Sequence, residues 1–403
     1  MEKMAKKFFM LSLVIVMVSG LIFASDVSAQ TASKPLPKMF VWASLTMGSL
    51  GNSQSMGFGE TVKKSTGIPV RIIPAAADMA GFLPLRAGEV NLCYRSSGAT
   101  YSLSCGIGQA FGAEEWGPQP VRVVWAVPLL ISFATRPETG IKTYADIKGK
   151  RFPDYKGWDV GEWETEAILA AYGFTWKDVV AVPTAGYTPG IQALIDAKLD
   201  IADIAPEASL AFEMQAKRGI VWVESPKDPE SIKKWLTIAP FFTPGWMDRG
   251  VGLSSEKPCW GTVDRYLLVA YNHLDPQIAY LTTKALWEGY DAYKDMHPSL
   301  KFATREFALD YKALIHPYHE GSVTFFKEIG VWTSAMEAWQ KEQLAIQKKR
   351  RSAWEEATKA AAAKKIKLTD PKWHNGVDGM WVEWLRANNL ISIPKIEYHE
   401  YKK

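Results

Sequence analysis

The chain has 403 residues, with 47 Lys and Arg against 43 Asp and Glu, a formal charge of +4 and three cysteines. So even a balance gives no strong field for nucleic acid or an anionic membrane surface, and three cysteines are too few for a disulfide scaffold. The length exceeds what one hydrophobic core usually supports, so two lobes are expected.

At the N-terminus Lys3, Lys6 and Lys7 precede an apolar run over 8–23, followed by Asp26 and Val27-Ser28-Ala29. This reads as a secretory signal peptide over 1–29, cleaved near Ala29 so that the mature chain starts at Gln30. The run is shorter than the ~20 apolar residues of a membrane span, which sets aside a retained anchor. No cysteine follows it to carry a lipid. Cleavage removes three Lys, one Glu and one Asp, taking the charge from +4 to +3. The expected location is the periplasm. There Cys93 and Cys105 could form a bridge, although buried free thiols account for them equally well.

From Met39 short apolar runs alternate with amphipathic stretches. Strands are expected at 40–44, 70–74, 90–94 and 121–127, with helices from about 54 and over 80–87, a βαβαβ order with parallel pairing. A second unit repeats the pattern: a strand at 131–135, a short capped helix at 143–147, and a strand at 150–152 opening into the loop 153–161. A helix over 162–172 closed by Gly173, a strand at 179–183, a helix over 189–197 and a strand at 201–205 ending at Pro206 complete it. A strand at 266–270 and a helix over 275–293 return the chain to the first lobe. Residues 334–367, rich in Ala, Lys, Glu, Gln and Arg, read as long helices, and Lys348-Lys349-Arg350-Arg351 as a solvated helix face. The expected organisation is lobe I at 38–130 plus 241–335, lobe II at 131–240, and a C-terminal helical extension at 336–403 packing on lobe I. In fold class this is an α/β two-lobed periplasmic binding protein, a venus flytrap whose lobes are mostly parallel sheets flanked by helices.

Five segments appear in order: 40–60; the run from Ala80 to Asn91; Gly140 to Arg151; Ala170 to Val179; and His316 to Gly330. Together they resemble the TAXI family of receptors for TRAP transporters, over about residues 40–332. The stretch Asp146-Ile147-Lys148-Gly149-Lys150 is shared by many periplasmic binding proteins and indicates only the two-lobed class. The resemblance implies a receptor that delivers a small organic anion or amino acid to an ion-gradient-driven permease, with no catalytic step and no cofactor. Two loops depart from the family pattern. Leu50-Gly51-Asn52-Ser53-Gln54-Ser55 lacks the usual aromatic pair, and Lys156-Gly157-Trp158-Asp159-Val160-Gly161-Glu162 replaces a run of small residues.

In open parallel sheets ligands sit at the carboxyl ends of strands, which places the loops after residues 40, 90, 152 and 201 around one cleft. Ser49, Asn52 and Ser53, where a strand opens into a helix, could bind a carboxylate with backbone N–H groups, or merely cap the helix. Arg95, followed by Ser96, would place a guanidinium at a strand end as a bidentate carboxylate clamp; a surface salt bridge is its ordinary alternative, and Arg136 is a weaker candidate. Trp158 and Asp159 offer a flat apolar surface and a negative charge, and Tyr187 and Glu207 lie on neighbouring loops. The expected function is an extracytoplasmic receptor, monomeric, for a small carboxylate or amino-acid-like ligand, possessing a TRAP-type permease partner and no nucleic-acid partner. A periplasmic sensor feeding a signalling partner would use the same cleft. An enzyme with a metal at His316 and His319 is the third reading, and their spacing departs from the zinc-protease pattern of histidines four apart around an inner Glu.

Overall fold

The computed structural model describes residues 35–391, apart from 48, 76, 157 and 377. The expected signal peptide and the last residues, 392–403, lie outside the described residues. The chain divides after Pro37, and the fold is that of the part from Lys38 onward.

The first strand, β1 (Phe40–Ser44), is apolar on both faces, with Phe40 and Trp42 fully buried, as a strand covered on both sides requires. Ser49 then caps α1 (Leu50–Thr66), which ends on Gly67 in the left-handed region at φ 73°. β2 (Val70–Pro74), α2 (Asp78–Ala87) and β3 (Leu92–Ser96) follow. Both β2 and β3 pair parallel to β1, giving the expected βαβ start. Ser96 caps α3 (Ser97–Cys105), which leads through the one-turn α4 (Gly108–Phe111) to β4 (Val121–Leu130).

Strand pairing is more mixed than the sequence suggests. β4 does not join β3; it runs antiparallel to a thirteen-residue return strand, β11 (Cys259–Tyr271), which also pairs antiparallel with β3 and with β10 (Thr243–Met247). β11 is long enough to serve three neighbours, and its distance in sequence from them conceals the pairing. β5 (Ser132–Thr135) begins the second lobe. It pairs antiparallel with β8 (Ile201–Ile204) and β9 (Val221–Trp222), while β6 (Arg151–Tyr155) and β7 (Val180–Thr184) form a parallel pair. Around these strands lie α5 (Asp159–Ala171), α6 (Tyr187–Ile195), α7 (Ser209–Arg218) and α8 (Pro229–Ile238). The core of this lobe includes Ile191, Leu194, Ile204 and Met214, joined by Met247 and Val251 from the β10–β11 hairpin.

After β11, α9 (Pro276–Glu288) packs against α10 (Glu320–Glu328) on the first lobe. The thirty-residue α11 (Ser334–Ala363) lies along β4: the Gln347 side chain donates to the Val121 carbonyl at 3.0 Å. Its basic run is divided, because Lys348 and Lys349 are exposed whereas Arg350 points inward and donates to the Leu390 carbonyl at 2.6 Å. Two short helices, α12 (Pro371–His374) and α13 (Met380–Ala387), complete the described chain. The extension reaches beyond the first lobe. Trp373 and Trp381 donate to the Gly112 and Cys105 carbonyls, while Gly376 abuts Trp163 of α5 and Arg386 donates to Thr237 in α8. All three cysteines are free thiols, and no described helix is long and apolar enough to cross a membrane.

Candidate functional site

The segments following β1 and β8 face each other across a small cavity, and Asp159, after β6, reaches α4. Ser49 spends its hydroxyl on the Asn52 N–H (3.2 Å), Asn52 donates to the Leu45 carbonyl (3.4 Å), and Ser53 donates to the Ser49 carbonyl (3.3 Å). Ser96 is likewise occupied as the cap of α3, accepting from Ala99 at 3.4 Å. Ser53 also lines a cavity of about 190 Å³ with Leu50 and His297 from one lobe and Glu207, Ala208, Ser209 and Phe212 from the other. A wider groove of about 690 Å³ lies elsewhere, between the 113–115 loop and the C-terminal helices.

Arg95 is not placed as an open clamp. Its side chain is buried against α2, with Nε 3.2 Å from Asp78, Nη1 donating to the Tyr94 carbonyl, and Nη2 donating to the Ala75 and Ala77 carbonyls at 3.2 and 3.3 Å. A Cβ on Gly81 would lie 2.6 Å from Nη2, so the guanidinium is packed into its own lobe. It holds the β2–α2 loop. Arg136 is also spoken for, by the Leu194 and Leu199 carbonyls and by Glu138 and Asp200.

The aromatic loop behaves differently. Trp158 stacks edge-on against Tyr155 (4.8 Å) and Tyr187 (5.7 Å), and the Tyr187 hydroxyl accepts from the Ala205 N–H at 2.9 Å. Asp159 crosses between the lobes to accept from the Gln109 and Ala110 N–H groups at the start of α4. Gly108 makes room for it: a Cβ there would stand 1.9 Å from the carboxylate, and its φ is 85°. Burial, with Glu162 and Asp78 nearby, pushes the Asp159 carboxyl up to about 7. Glu207 lies 3.4 Å from Arg249, whose guanidinium covers the Phe302 ring at 3.9 Å. Sequence reading missed Arg249, which sits in a hairpin turn with no motif around it.

It also missed the most deeply buried acids. Glu164, Asp203 and Asp264 are 1%, 0% and 4% exposed. Asp264 of β11 is well served: Ser97 donates to it, as do the Arg265 and Gly98 N–H groups. Burial nevertheless pushes it up to about 7. Glu164 of α5 and Asp203 of β8 are hydrogen-bonded to each other, Glu164 donating, and Asp203 also takes the Ile204 N–H, but no cation faces either. Beyond that mutual contact and the Ile204 N–H, no other donor among the described residues reaches the Asp203 carboxyl oxygens or Glu164 Oε2. Burial drives both carboxyls well above the usual range, aided at Glu164 by Asp203 and then Asp264, and at Asp203 by Asp264 against the opposing hydrogen bond from Glu164. Tyr155 lies against Asp203, accepting its N–H at 3.4 Å, and Tyr266 feels both Asp203 and Asp264. A signal was present in the sequence. Glu164 interrupts the inward stripe Val160, Ala167, Ile168 and Ala171, and Asp203 interrupts the apolar strand Ile201–Ile204.

The histidine pair has structural tasks. His316 contacts Thr100 Oγ1 through Nε2 at 2.9 Å, and His319 caps α10 by accepting the Gly321 N–H at 3.2 Å. Burial lowers them to about 3 and about 4, so both are neutral at pH 7. They act at separate places, and among the described residues no group of three or more His, Cys, Asp or Glu is arranged to hold a metal. The third reading, a metal at His316 and His319, is corrected accordingly.

Two α/β lobes joined by two chain crossings, with loops of both enclosing polar residues, make a venus-flytrap fold. The sequence matches the model of the NMT1-like family over residues 55–330, and the chain belongs to that family. Similar solved structures include the R. palustris protein Rpa4515 with adipate, at 12% identity over 77% of this chain and 97% of that one, with a TM-score of 0.46. The periplasmic aliphatic sulphonate binding protein SsuA of Escherichia coli aligns at 12% identity over 91% and 95%, with a TM-score of 0.43. PhnD1 of Prochlorococcus marinus in complex with methylphosphonate aligns at 10% over 74% and 100%, with a TM-score of 0.39. No curated protein matches the sequence.

Proposed function

We propose that this protein is an extracytoplasmic solute receptor: a small organic solute of carboxylate or amino-acid type binds between the lobes, and the closed form passes it to a TRAP-type permease. The observation that carries the reading is the gathering of buried polar side chains from both lobes at one junction, with the buried acids Asp203 and Glu164 facing no cation. A stable core excludes such groups unless something else satisfies them. The venus-flytrap fold supports the reading, as does the likeness of 40–332 to TAXI receptors. In this reading the lobes are 38–130 plus 241–335 and 131–240, and residues 1–29 are the export signal.

Ser53 and Glu207 are proposed as contacts at the cavity, Trp158 and Tyr187 as an aromatic wall, and Arg249 as the cation facing a ligand carboxylate. Ser49, Asn52, Ser96 and Arg95 shape the loops, and Asp159 latches one lobe to the other. Binding is the whole mechanism, because a solute touching both lobes stabilises the closed arrangement by its greater affinity for it. The test is a thermal-shift screen of the processed protein against organic acids, amino acids and amines, with small-angle scattering on each hit. The reading requires a raised melting temperature together with a smaller radius of gyration. If no solute does both, it fails.

A further inference from the structure

We propose that Glu164, Asp203, Asp264 and the surrounding tyrosines form a subsite for a cationic nitrogen, so that the solute carries an ammonium or related group. This rests on the receptor reading above and names the chemistry of that same cleft.

Buried arginines elsewhere in the molecule face acids. Asp78 faces Arg95, Asp200 faces Arg136 and Arg151, and Asp310 faces Arg265. At the lobe junction the match is missing. Asp203 is fully buried and its carboxyl is met only by Glu164 and the Ile204 N–H, while no cation faces either acid. The charged groups acting on this pair are each other and Asp264. An ionised carboxylate in such a place costs several kcal/mol unless a cation or hydrogen-bond donors reach it. An ammonium supplies three N–H donors and the opposite charge in one group.

The surroundings suit an organic nitrogen. Tyr155, Tyr187 and Tyr266 each lie within electrostatic reach of Asp203, giving aromatic surface to a cation and its alkyl stem. The three acids do not form a metal-holding group, so they are not arranged as ligands of an ion. Asp264 and Ser97 belong to the first sheet and its helix, while Glu164 and Asp203 belong to the second lobe. A cation between them therefore attracts both lobes, and its affinity is greatest in the closed form.

The empty pair has a second option, which is to hold protons. Burial raises both carboxyls well above the usual range, so without solute Glu164 and Asp203 keep protons that an incoming ammonium expels to solvent. Other titratable groups facing the pair are Asp264, Tyr144, Tyr155, Tyr187 and Tyr266, and burial keeps the tyrosines neutral. Binding is thus accompanied by proton release.

The experiment uses matched probes on the processed full chain: L-glutamate with glutarate, γ-aminobutyrate with butyrate, L-lysine with hexanoate, and agmatine alone. Thermal shift and titration calorimetry are run in two buffers of different ionisation enthalpy. At least one amine is expected to bind while its deaminated counterpart does not, with a buffer-dependent enthalpy that reports a released proton. Asp203→Asn and Glu164→Gln should each weaken that amine by at least about tenfold. The calorimetric proton count on the native chain stands even if either variant folds poorly. Equal binding of the deaminated probes, undiminished binding in both variants, or no amine binding at millimolar concentration overturns the subsite. If glutarate or another anion closes the lobes in scattering while no amine binds, the receptor reading survives and only the cation subsite falls. If no solute of any charge closes them, the receptor reading itself falls.

Discussion

The C-terminal helices and the strand-end loops both touch the two lobes, yet they treat buried polar groups in opposite ways. In the extension Trp354, Trp373 and Trp381 form one cluster with ring centroids 5.1 to 6.1 Å apart. The indole N–H groups of Trp373 and Trp381 each find a carbonyl at 2.8 Å, and the inward Arg350 finds the Leu390 carbonyl. Beneath the strand-end loops Asp203 of β8 and Glu164 of α5 are equally buried, and no cation faces either. The first region has its polar atoms matched before any partner arrives, which is what a structural brace needs. The second retains a mismatch that costs stability, as sites for ligands commonly do.

Substitutions can break this comparison. The largest effect should come from Trp381→Ala, which empties a fully buried site and strands the Cys105 carbonyl. A loss of about 3–5 kcal/mol by urea unfolding is expected. Solute affinity of the protein that remains folded should be unchanged; if it collapsed instead, the extension would belong to the site. Next, Arg95→Ala should cost about 2–3 kcal/mol, because three carbonyls and Asp78 lose their partner. Selective loss of affinity for carboxylates with stability intact would restore Arg95 as a ligand clamp.

The pH dependence separates the regions further. Asp159 and Asp264 titrate near 4 when unfolded but at about 7 when folded. A raised carboxyl contributes stability that is complete below the unfolded value and lost as pH rises through the folded one. The solute-free protein should therefore lose on the order of 2 kcal/mol between about pH 4 and 7 relative to Asp264→Asn, checked by denaturant unfolding across that range. A flat difference between the two proteins would show that Asp264 is already ionised without penalty. Smaller still, Asp203→Asn should leave the stability of the solute-free protein within about 1 kcal/mol, since the carboxyl it replaces already holds a proton. Destabilisation by that change would make the acid pair part of the brace. Ser49→Ala, which deletes only a helix cap, should cost about 1 kcal/mol or less.

Much of the fold was legible because hydrophobic period reports on single elements. The strands at 40–44, 70–74 and from 201, the cap at Thr143, and the end of the helix at Ala87 all follow from local chemistry, although the first helix begins at Leu50 rather than about 54. The alternation of strands and helices, with an apolar stripe on each helix, was enough to specify two α/β lobes whose strand-end loops meet. The site was less legible. A strand-end Arg95 and a Glu164 set in an inward apolar stripe are local facts that say nothing about what lies opposite.

Tertiary structure decided those matters. Period places a residue on a face of its own element, but pairing β11 with both β3 and β4 joins segments more than a hundred residues apart. That pairing sets Asp264 beside Ser97, and lobe packing brings Glu164 and Asp203 within its field. The same packing buries Arg95 under α2 and commits its donors to its own lobe. Composition and period determined which segments form strands and helices, whereas the electrostatic character of the cleft arose only from long-range packing, because desolvation depends on every neighbour that excludes water.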